Sequence, residues 1–351
     1  MRHPIHHPHS PFRIFAVSAL VTISALIGVF AGRGIGGMLI ALVLIAVEVA
    51  FSFDNAILNA KVLSKMSRFW QNMFLTAGAL VAVFGMRVVF PILIVALTSD
   101  TGWSAVLDMA LHHPHEYAEK LAIAHPTLSA FGGAFLLVLA LDFFVDGEKE
   151  VMWFTTLEKS FSKLATHWAS PIITLFAVGI VSLLPFNHHA KETLIAGVMG
   201  VVVYSLIHGL TAWFGKLQGG GLKPAGKAVL QVGMAAFVSF CYLEVLDATF
   251  SFDSVLGAFA VTSDVVLIAI GLGVGALWVR SLTVFMVRRG TLANYKYIEH
   301  GAHYTIFVLA GILFTSIFIE VPEVITGLAG VGIIISSVVA SQQARSAADT
   351  R

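Results

Sequence analysis

The stretch Glu48-Val-Ala-Phe-Ser-Phe-Asp54-Asn55 lies inside a long apolar run, and its pattern returns later as Asp247-Ala-Thr-Phe-Ser-Phe-Asp253-Ser254. Aligned without a gap, both stretches read acid-x-x-Phe-Ser-Phe-Asp followed by a small polar residue. A carboxylate in the middle of a membrane-length segment costs about 2.5–3.5 kcal/mol on insertion scales. Because the chain carries this cost twice in one pattern, we interpret the two stretches as the halves of one ion site.

The composition predicts an integral protein of the lipid bilayer. Of the 351 residues, 58% are hydrophobic and only 12% are charged, whereas soluble domains carry about 25% charged residues. Several apolar runs exceed about 18 residues, the length that crosses a bilayer. The net charge of +1 carries no information about nucleic acid, and no basic block is long enough to predict a nucleic-acid partner. Because Cys241 is the only cysteine, an intrachain disulfide and a thiolate metal cage are excluded.

The apolar runs predict an all-α, polytopic transmembrane bundle with about ten spans (nine or ten). A His-rich cytoplasmic tail (1–12) is expected before the transporter domain (13–340), and a second cytoplasmic tail (341–351) after it. The connection 98–127 is interpreted as a long external loop. The candidate spans are 13–31, 36–59, 71–97, 128–146, 171–186, 192–214, 228–252, 264–287, 303–319 and 324–340.

The basic residues predict the orientation of these spans. Sixteen of the 21 Lys and Arg residues fall in the two tails and the even-numbered connections, and only Arg33, Lys120 and Lys191 fall in the odd-numbered ones. Such asymmetry places both termini in the cytoplasm, here of an inner (plasma) membrane protein. The two motifs then run in opposite directions, which predicts two inverted three-helix repeats at about 36–146 and 228–320.

Each motif predicts a polar stripe, because positions i, i+4 and i+7 share a helix face. In an ideal helix, Asp54 and Asp253 fall off these stripes. Either they face another partner, such as an arginine, or the helix unwinds near Phe-Ser-Phe-Asp and turns them inward. The stripes consist of Glu48, Ser52, Asn55 and Asn59 in the first repeat and of Glu244, Asp247, Ser251 and Ser254 in the second.

Two arginines provide an alternative role for these acids. Arg87 and Arg280 each lie in the span that follows a motif, and a further acid, Asp142, lies in the next span of the first repeat. The arginines could neutralise the acids as ion pairs that lock the fold, or some acids could be structural while others bind an ion. The asparagines could equally serve as hydrogen-bonding residues between helices.

Oxygen donors of this kind favour a hard divalent cation such as Mn²⁺, Ca²⁺ or Mg²⁺. Coupled buried carboxylates could also exchange protons for the metal. No nucleophile stands at a recognisable spacing from a base, so we expect neither an enzyme nor an organic cofactor. The histidine-rich segments are either transient metal-capture sites or solvated filler.

The motifs resemble those of the TerC-like integral membrane proteins. Glu48-x-x-Phe-Ser-x-Asp54-Asn55 is similar to the first signature of that family, which has Leu in place of Phe51. The second motif, continued by Ala258-Phe-Ala-Val-Thr262 and Val279-Arg280-Ser281-Leu282, is similar to the second signature. The resemblance covers roughly 36–320, and the double Phe-Ser-Phe-Asp form, Asp142-Phe-Phe-Val-Asp146 and Tyr297-Ile-Glu-His-Gly-Ala-His303 indicate a less-studied branch. Glu244, the connection 98–127 and the His-rich N-terminus depart from the pattern of the family. The family is part of the wider LysE-type exporter superfamily.

The resemblance implies export of a metal ion, with manganese as the associated substrate. The matching site residues are Glu48, Asp54, Asn55, Asp247, Asp253 and Ser254; Ser52, Asn59, Glu244, Ser251 and Asp142 are additional candidates, and Arg87 and Arg280 are charge partners. Two alternatives remain at this point: a membrane scaffold that delivers metal to secretion machinery, and an exporter of a small organic solute.

Overall fold

The computed structural model describes residues 11–98, 101–147, 149, 151–163, 166, 168–218, 230–319 and 321–349. In these ranges every regular element is helical, and one isolated bridge joins Met66 to Gln231. The helices are α1 (Pro11–Phe51), α2 (Phe53–Ser64), α3 (Arg68–Leu75), α4 (Ala77–Leu80), a π-helical segment (Val81–Val89), α5 (Phe90–Thr98), α6 (Trp103–His112), α7 (Pro114–Val145), α8 (Thr155–Ser162), α9 (Ala169–Leu183), α10 (Ala190–Gln218), α11 (Gly233–Ala258), α12 (Val265–Arg289), a 3-10 turn (Thr291–Asn294), α13 (Ile298–Ser316) and α14 (Glu323–Asp349).

The prediction of a helical membrane bundle is confirmed. Within the described residues, seven helical stretches are long and apolar enough to cross a membrane. Helix also occupies most of the described part of each of the ten predicted spans, although the number of crossings stays a prediction. The histidines of the N-terminal tail, at positions 3, 6, 7 and 9, lie outside the described residues.

The first helix reverses its direction at Gly34. This residue has φ 67° and ψ −165°, a conformation that glycine adopts at little steric cost. Before the turn, Ser18 Oγ lies 2.7 Å from Ser281 Oγ on α12; after it, Leu44 packs on Gly271 of the same helix. The two limbs of α1 therefore lie side by side against α12, as the predicted spans 13–31 and 36–59 require.

An ion pair fixes this reversal to the start of α12. Arg33 donates to the Asp264 carboxylate, and Asp264 Oδ1 also accepts the N–H groups of Val266 and Leu267 at 2.9 and 3.1 Å. Asp264 is thus the N-cap of α12, the position at which aspartate satisfies otherwise unpaired N–H groups. The turn of α1 and the beginning of α12 share one end of the bundle.

The segment between residues 98 and 127 corrects one prediction. It contains α6, and α7 already begins at Pro114 rather than near residue 128. A proline is favoured in the first turn of a helix because its missing N–H would have no intrahelical partner there. The predicted loop is therefore largely helical, and the predicted cytoplasmic tail 341–351 is likewise helical through Asp349.

The core of the bundle lies where α7 packs against α10 and α13. Phe135 of α7 is fully buried, and its ring centroid lies 5.4 Å from that of Tyr204 on α10. Small residues permit close approach to α13 on another face of α7: Gly133 lies against Leu313 and Ala310 of α13. This core supports the helices that carry both motifs.

Candidate functional site

Two arginines and three carboxylates form a buried network at the centre of the bundle. Arg280 of α12 donates to both oxygens of Glu244, at 3.0 and 2.8 Å, and to Asp247 Oδ2 at 3.1 Å. Arg87 donates to Glu48, and its Nη1 lies 4.0 Å from Asp247 Oδ2. Each of the five side chains is at least nine-tenths buried. Both predicted charge partners thus contact motif acids.

The network joins elements that are distant in sequence. Arg280 also donates to the Phe74 carbonyl at 3.2 Å, and its guanidinium lies 4.3 Å from the centre of the Phe74 ring. Asn55 Nδ2 donates to Asp247 Oδ1 at 3.1 Å. The network therefore connects α1, α2, α3, the π-helical segment, α11 and α12, and it contains three carboxylates but only two guanidinium groups.

Glycines allow the helices to approach these charges closely. A Cβ at Gly78 would lie 2.5 Å from Arg280 Nη1 and 2.8 Å from Glu244 Oε1, and one at Gly275 would lie 2.6 Å from Glu48 Cβ. Gly275 thus faces the helix that carries the first motif, and Gly78 faces the helix that carries the second. Any larger residue at these two positions would displace charged groups from their partners.

The helix carrying the first motif is interrupted at Ser52, within Phe-Ser-Phe-Asp. Ser52 has φ −96° and ψ 17°, its N–H donates to the Glu48 carbonyl at 3.0 Å and its carbonyl accepts the N–H of Ala56 at 3.1 Å, while the N–H of Asn55 donates to Asp54 Oδ1 at 2.9 Å. Among the described residues, no ion pair joins Asp54 to a basic group.

Asp54 and Asp253, the corresponding last acids of the two motifs, line one cavity between α2, α11, α13 and α14. The cavity has a water-accessible volume of about 50 Å³. Asp54 is 7% exposed, and a Cβ at Gly330 would lie 3.7 Å from its carboxylate. The other polar residues of the lining are Ser52, Thr249, Ser254, Thr305 and Thr326.

Asp253 has a histidine beside it. Asp253 Oδ1 lies 3.4 Å from His125 Nε2 on α7, and the same nitrogen lies 3.3 Å from Ser129 Oγ. The Asp253 side chain is 30% exposed, more than that of Asp54. His125 therefore connects α7 to the edge of the cavity.

The remaining candidates are divided between these two places and a third one. Asn59 Oδ1 and Ser251 Oγ are buried without a hydrogen-bond partner, and Ser52 Oγ donates to Glu48 Oε1 at 3.3 Å. Asp142 lies apart from the cavity, where it accepts a 2.7 Å hydrogen bond from Tyr204. The structure thus brings the motif residues together but leaves Asp142 in the α7–α10 interface.

A second polar cluster lies at the other end of α2 and α13. Glu158 is fully buried and accepts the N–H groups of Trp153 and Phe154, both at 3.1 Å, and its other oxygen lies 3.3 Å from His300 Nε2. Burial lowers the pKa of His300 and of Lys149, and the nearby Glu158 offsets this only in part. The imidazole is therefore neutral at pH 7.

No group of three or more His, Cys, Asp and Glu side chains within the described ranges is arranged to hold a metal ion. Two carboxylates with hydroxyl groups, as in the Asp54–Asp253 cavity, can contact a cation that keeps part of its water shell, as Mg²⁺ commonly does in proteins. This arrangement of two carboxylates and several hydroxyl groups suits transient binding of a cation better than a permanent structural metal site.

The comparison with protein families gives one match, to a model described as a protein of unknown function (DUF475), over residues 53–347. The chain belongs to the DUF475 family. The match includes Asp54, the whole second motif and both arginines, so the network apart from Glu48 and the cavity apart from Phe51 and Ser52 lie within the matched region. No curated protein and no solved structure matches this member of DUF475.

Several cavity residues were missed by sequence reasoning. His125 falls in the segment interpreted as a loop; recognising that Pro114 starts a helix would have placed it on α7, facing the bundle. Thr305 and Thr326 are single hydroxyl residues in apolar helices and carry no pattern of their own.

Proposed function

We propose that this DUF475 protein is a secondary transporter that exports a divalent metal cation, with Mn²⁺ as the first candidate and Ca²⁺ and Mg²⁺ as alternatives. The observation that carries the proposal is the shared cavity of Asp54 and Asp253. Neither carboxylate is neutralised by an arginine in the described structure, although two arginines lie nearby. Two such carboxylates in a membrane bundle match the charge of a divalent cation.

The chemistry of the lining supports a hard cation. Carboxylate and hydroxyl oxygens are the donors that Mg²⁺, Ca²⁺ and Mn²⁺ prefer. The described lining supplies such oxygens from Ser52, Ser254 and Thr305 in addition to the two acids, and no sulfur. Asn59 Oδ1 on α2 and Ser251 Oγ on α11 are buried without partners on the two motif helices, outside the cavity lining.

The size of the cavity favours an ion over an organic solute. Each water molecule needs about 10–15 Å³ of water-accessible volume. The cavity has about 50 Å³ of this volume and therefore accommodates a partly hydrated ion. An amino acid or a similar solute would not fit without a large rearrangement. A scaffold that delivers metal would not need charged residues deep in the bundle, where they are costly.

The arrangement also supports the predicted inverted repeats. Gly78, in the second span of the first repeat, faces Glu244 of the second motif helix, while Gly275, in the second span of the second repeat, faces Glu48 of the first. In our proposal the second span of each repeat packs against the first span of the other repeat, which is the span that carries the motif. The arginine network is then the fixed part, and the cavity is exposed alternately to the two sides, with protons as candidate counter-ions.

Manganese flux into proteoliposomes tests this function. Asp54→Asn and Asp253→Asn remove one negative charge each at nearly constant volume, so we expect each to reduce Mn²⁺ flux at least tenfold. Asp108→Asn is the matched control, because Asp108 is exposed on α6 and pairs with His112. It should retain wild-type flux.

Cells loaded with manganese provide the second measurement. Their metal content should rise when either cavity variant replaces the wild type and should stay low with Asp108→Asn. Equal flux for wild type, Asp54→Asn and Asp253→Asn, with equal amounts of folded protein, would contradict the proposal.

A further inference from the structure

A second cavity lies along the same two helices as the first. It has a water-accessible volume of about 240 Å³ and is lined by Ile57, Leu58 and Lys61 of α2, by Ile298, Glu299 and Ala302 of α13, and by neighbouring residues of the connections before α8 and α13. Lys61 and Glu299 form an ion pair between the two helices. This inner cavity plays no part in the function proposed above.

The two cavities lie on the same helix faces. On α2, Asp54 lines the first cavity, and Ile57, Leu58 and Lys61 line the second; these are the i, i+3, i+4 and i+7 positions of one face. Asp54 precedes Ile57 by three residues, or about 4.5 Å along a helix axis. On α2, the residues that line the two cavities are therefore less than one helical turn apart.

The second helix shows the same continuity. Residues 298 and 302 of α13 line the inner cavity, and residues 305, 309 and 312 line the first one. This series advances by four and three residues alternately, which keeps it on one face. What separates the cavities is a short packed layer in which Ile57 is 1% exposed, Ala302 is fully buried and Thr305 is 3% exposed.

We infer that the two cavities are the halves of one cation path along the α2–α13 interface, and that the Lys61–Glu299 ion pair is the gate at its inner end. The inference rests on the proposed transport function. The lysine and arginine distribution predicts that this end faces the cytoplasm. Glu299 is then the first carboxylate that a cation meets, and the Lys61 ammonium occupies it while the path is closed.

The energetics of the pair suit a gate. Its side chains are 33% and 42% exposed, and exposed ion pairs contribute only about 0–1 kcal/mol. The pair therefore separates readily, whereas the arginine network, which is almost completely buried, does not. A divalent cation competes directly with a single ammonium group for the Glu299 carboxylate.

Cysteine labelling tests this path independently of metal transport. Cys241→Ser removes the only thiol of the chain, and Leu58→Cys then introduces one into the lining of the inner cavity. In vesicles, a membrane-impermeant charged maleimide should label this thiol from the side of Lys61 only. Adding Lys61→Ala should increase the labelling rate about tenfold, because the gate is removed.

The Arg33–Asp264 pair at the opposite end provides a matched control. Its side chains are 36% and 32% exposed, close to those of the gate pair. Arg33→Ala should leave labelling of Leu58→Cys unchanged. Glu299→Gln provides a second way to open the gate: it should increase labelling as Lys61→Ala does but decrease Mn²⁺ flux, because the carboxylate that attracts the cation is lost.

The outcomes separate the two proposals. Equal labelling rates with Lys61→Ala, Glu299→Gln and Arg33→Ala would overturn the gate even if Asp54→Asn abolishes Mn²⁺ flux, and so would labelling from the Arg33 side. Gated labelling without Mn²⁺ flux in the wild type would support the path and contradict manganese as the cargo.

Discussion

Replacing Arg280 by alanine is expected to unfold the bundle or to prevent its assembly. The guanidinium makes three hydrogen bonds to Glu244 and Asp247 and one to the Phe74 carbonyl, and the side chain is only 2% exposed. Without it, two buried carboxylates lose their main cationic partner. Breaking a buried pair by removing one partner costs about 3–5 kcal/mol, so we expect a large fall in the melting temperature in detergent.

The same helix supplies the control for this variant. Arg289, the last residue of α12, is exposed and contacts the Phe285 ring at 5.7 Å. Arg289→Ala should therefore melt within a few degrees of the wild type. If Arg280→Ala melts at the same temperature, the network does not hold the fold together.

A rescue experiment identifies the cause of the instability. Combining Arg280→Ala with Glu244→Gln and Asp247→Asn removes the unpaired charges, so the triple variant should recover part of the lost stability. Arg280→Lys should recover less, because an ammonium cannot reproduce the two parallel bonds to Glu244. Asp54→Asn, outside the network, should melt like the wild type and yet lose transport.

The second large effect is expected at Gly200. A Cβ on this residue of α10 would lie 2.3 Å from the Phe131 carbonyl oxygen and 3.1 Å from the Phe135 backbone nitrogen, both on α7. Backbone atoms inside a helix cannot move aside separately, so Gly200→Ala has to push the two helices apart. Overpacking of this kind costs about 1–3 kcal/mol, and the change should appear as a lower melting temperature and faster proteolysis.

Gly209, on the same helix, is the matched control. A Cβ there meets no atom within 4 Å, and alanine favours a helix over glycine by about 1 kcal/mol. Gly209→Ala should therefore leave stability unchanged or increase it. A similar response at both positions would show that the α7–α10 contact does not limit stability.

Much of the fold could be predicted because apolar runs of membrane length leave the backbone few alternatives to helix. The division of the first apolar region into two spans was also predictable, since Arg33 marked a polar turn beside Gly34. The helical segments 103–112 and 114–127 were not anticipated. Their polar residues, which include Asp108, His112 and Glu116, resemble those of a loop when only the length of an apolar run is considered.

The residues of the candidate site could be predicted from the sequence, but the directions in which their side chains point could not. The repeated motif identified Glu48, Asp54, Asp247 and Asp253, and the position of the arginines suggested ion pairs. Which acid meets an arginine depends on how the helices pack: Glu48 and Asp247 face the arginines, whereas Asp54 and Asp253 line the cavity on another side of their helices. Helical periodicity therefore assigned the stripe residues Glu48 and Asp247 to the ion, whereas in the structure they contact Arg87 and Arg280.

The π-helical segment Val81–Val89 affects how the two halves of the chain can be aligned. Phe90 N–H bonds to the Gly85 carbonyl, five residues back, rather than four, so the segment accommodates more residues per turn than an α-helix. Arg87 lies within it. Removing one residue there would restore an α-helix and rotate the preceding and following parts by about 100° relative to each other. An insertion or deletion in this segment among relatives would thus change the partner of the arginine without changing any motif.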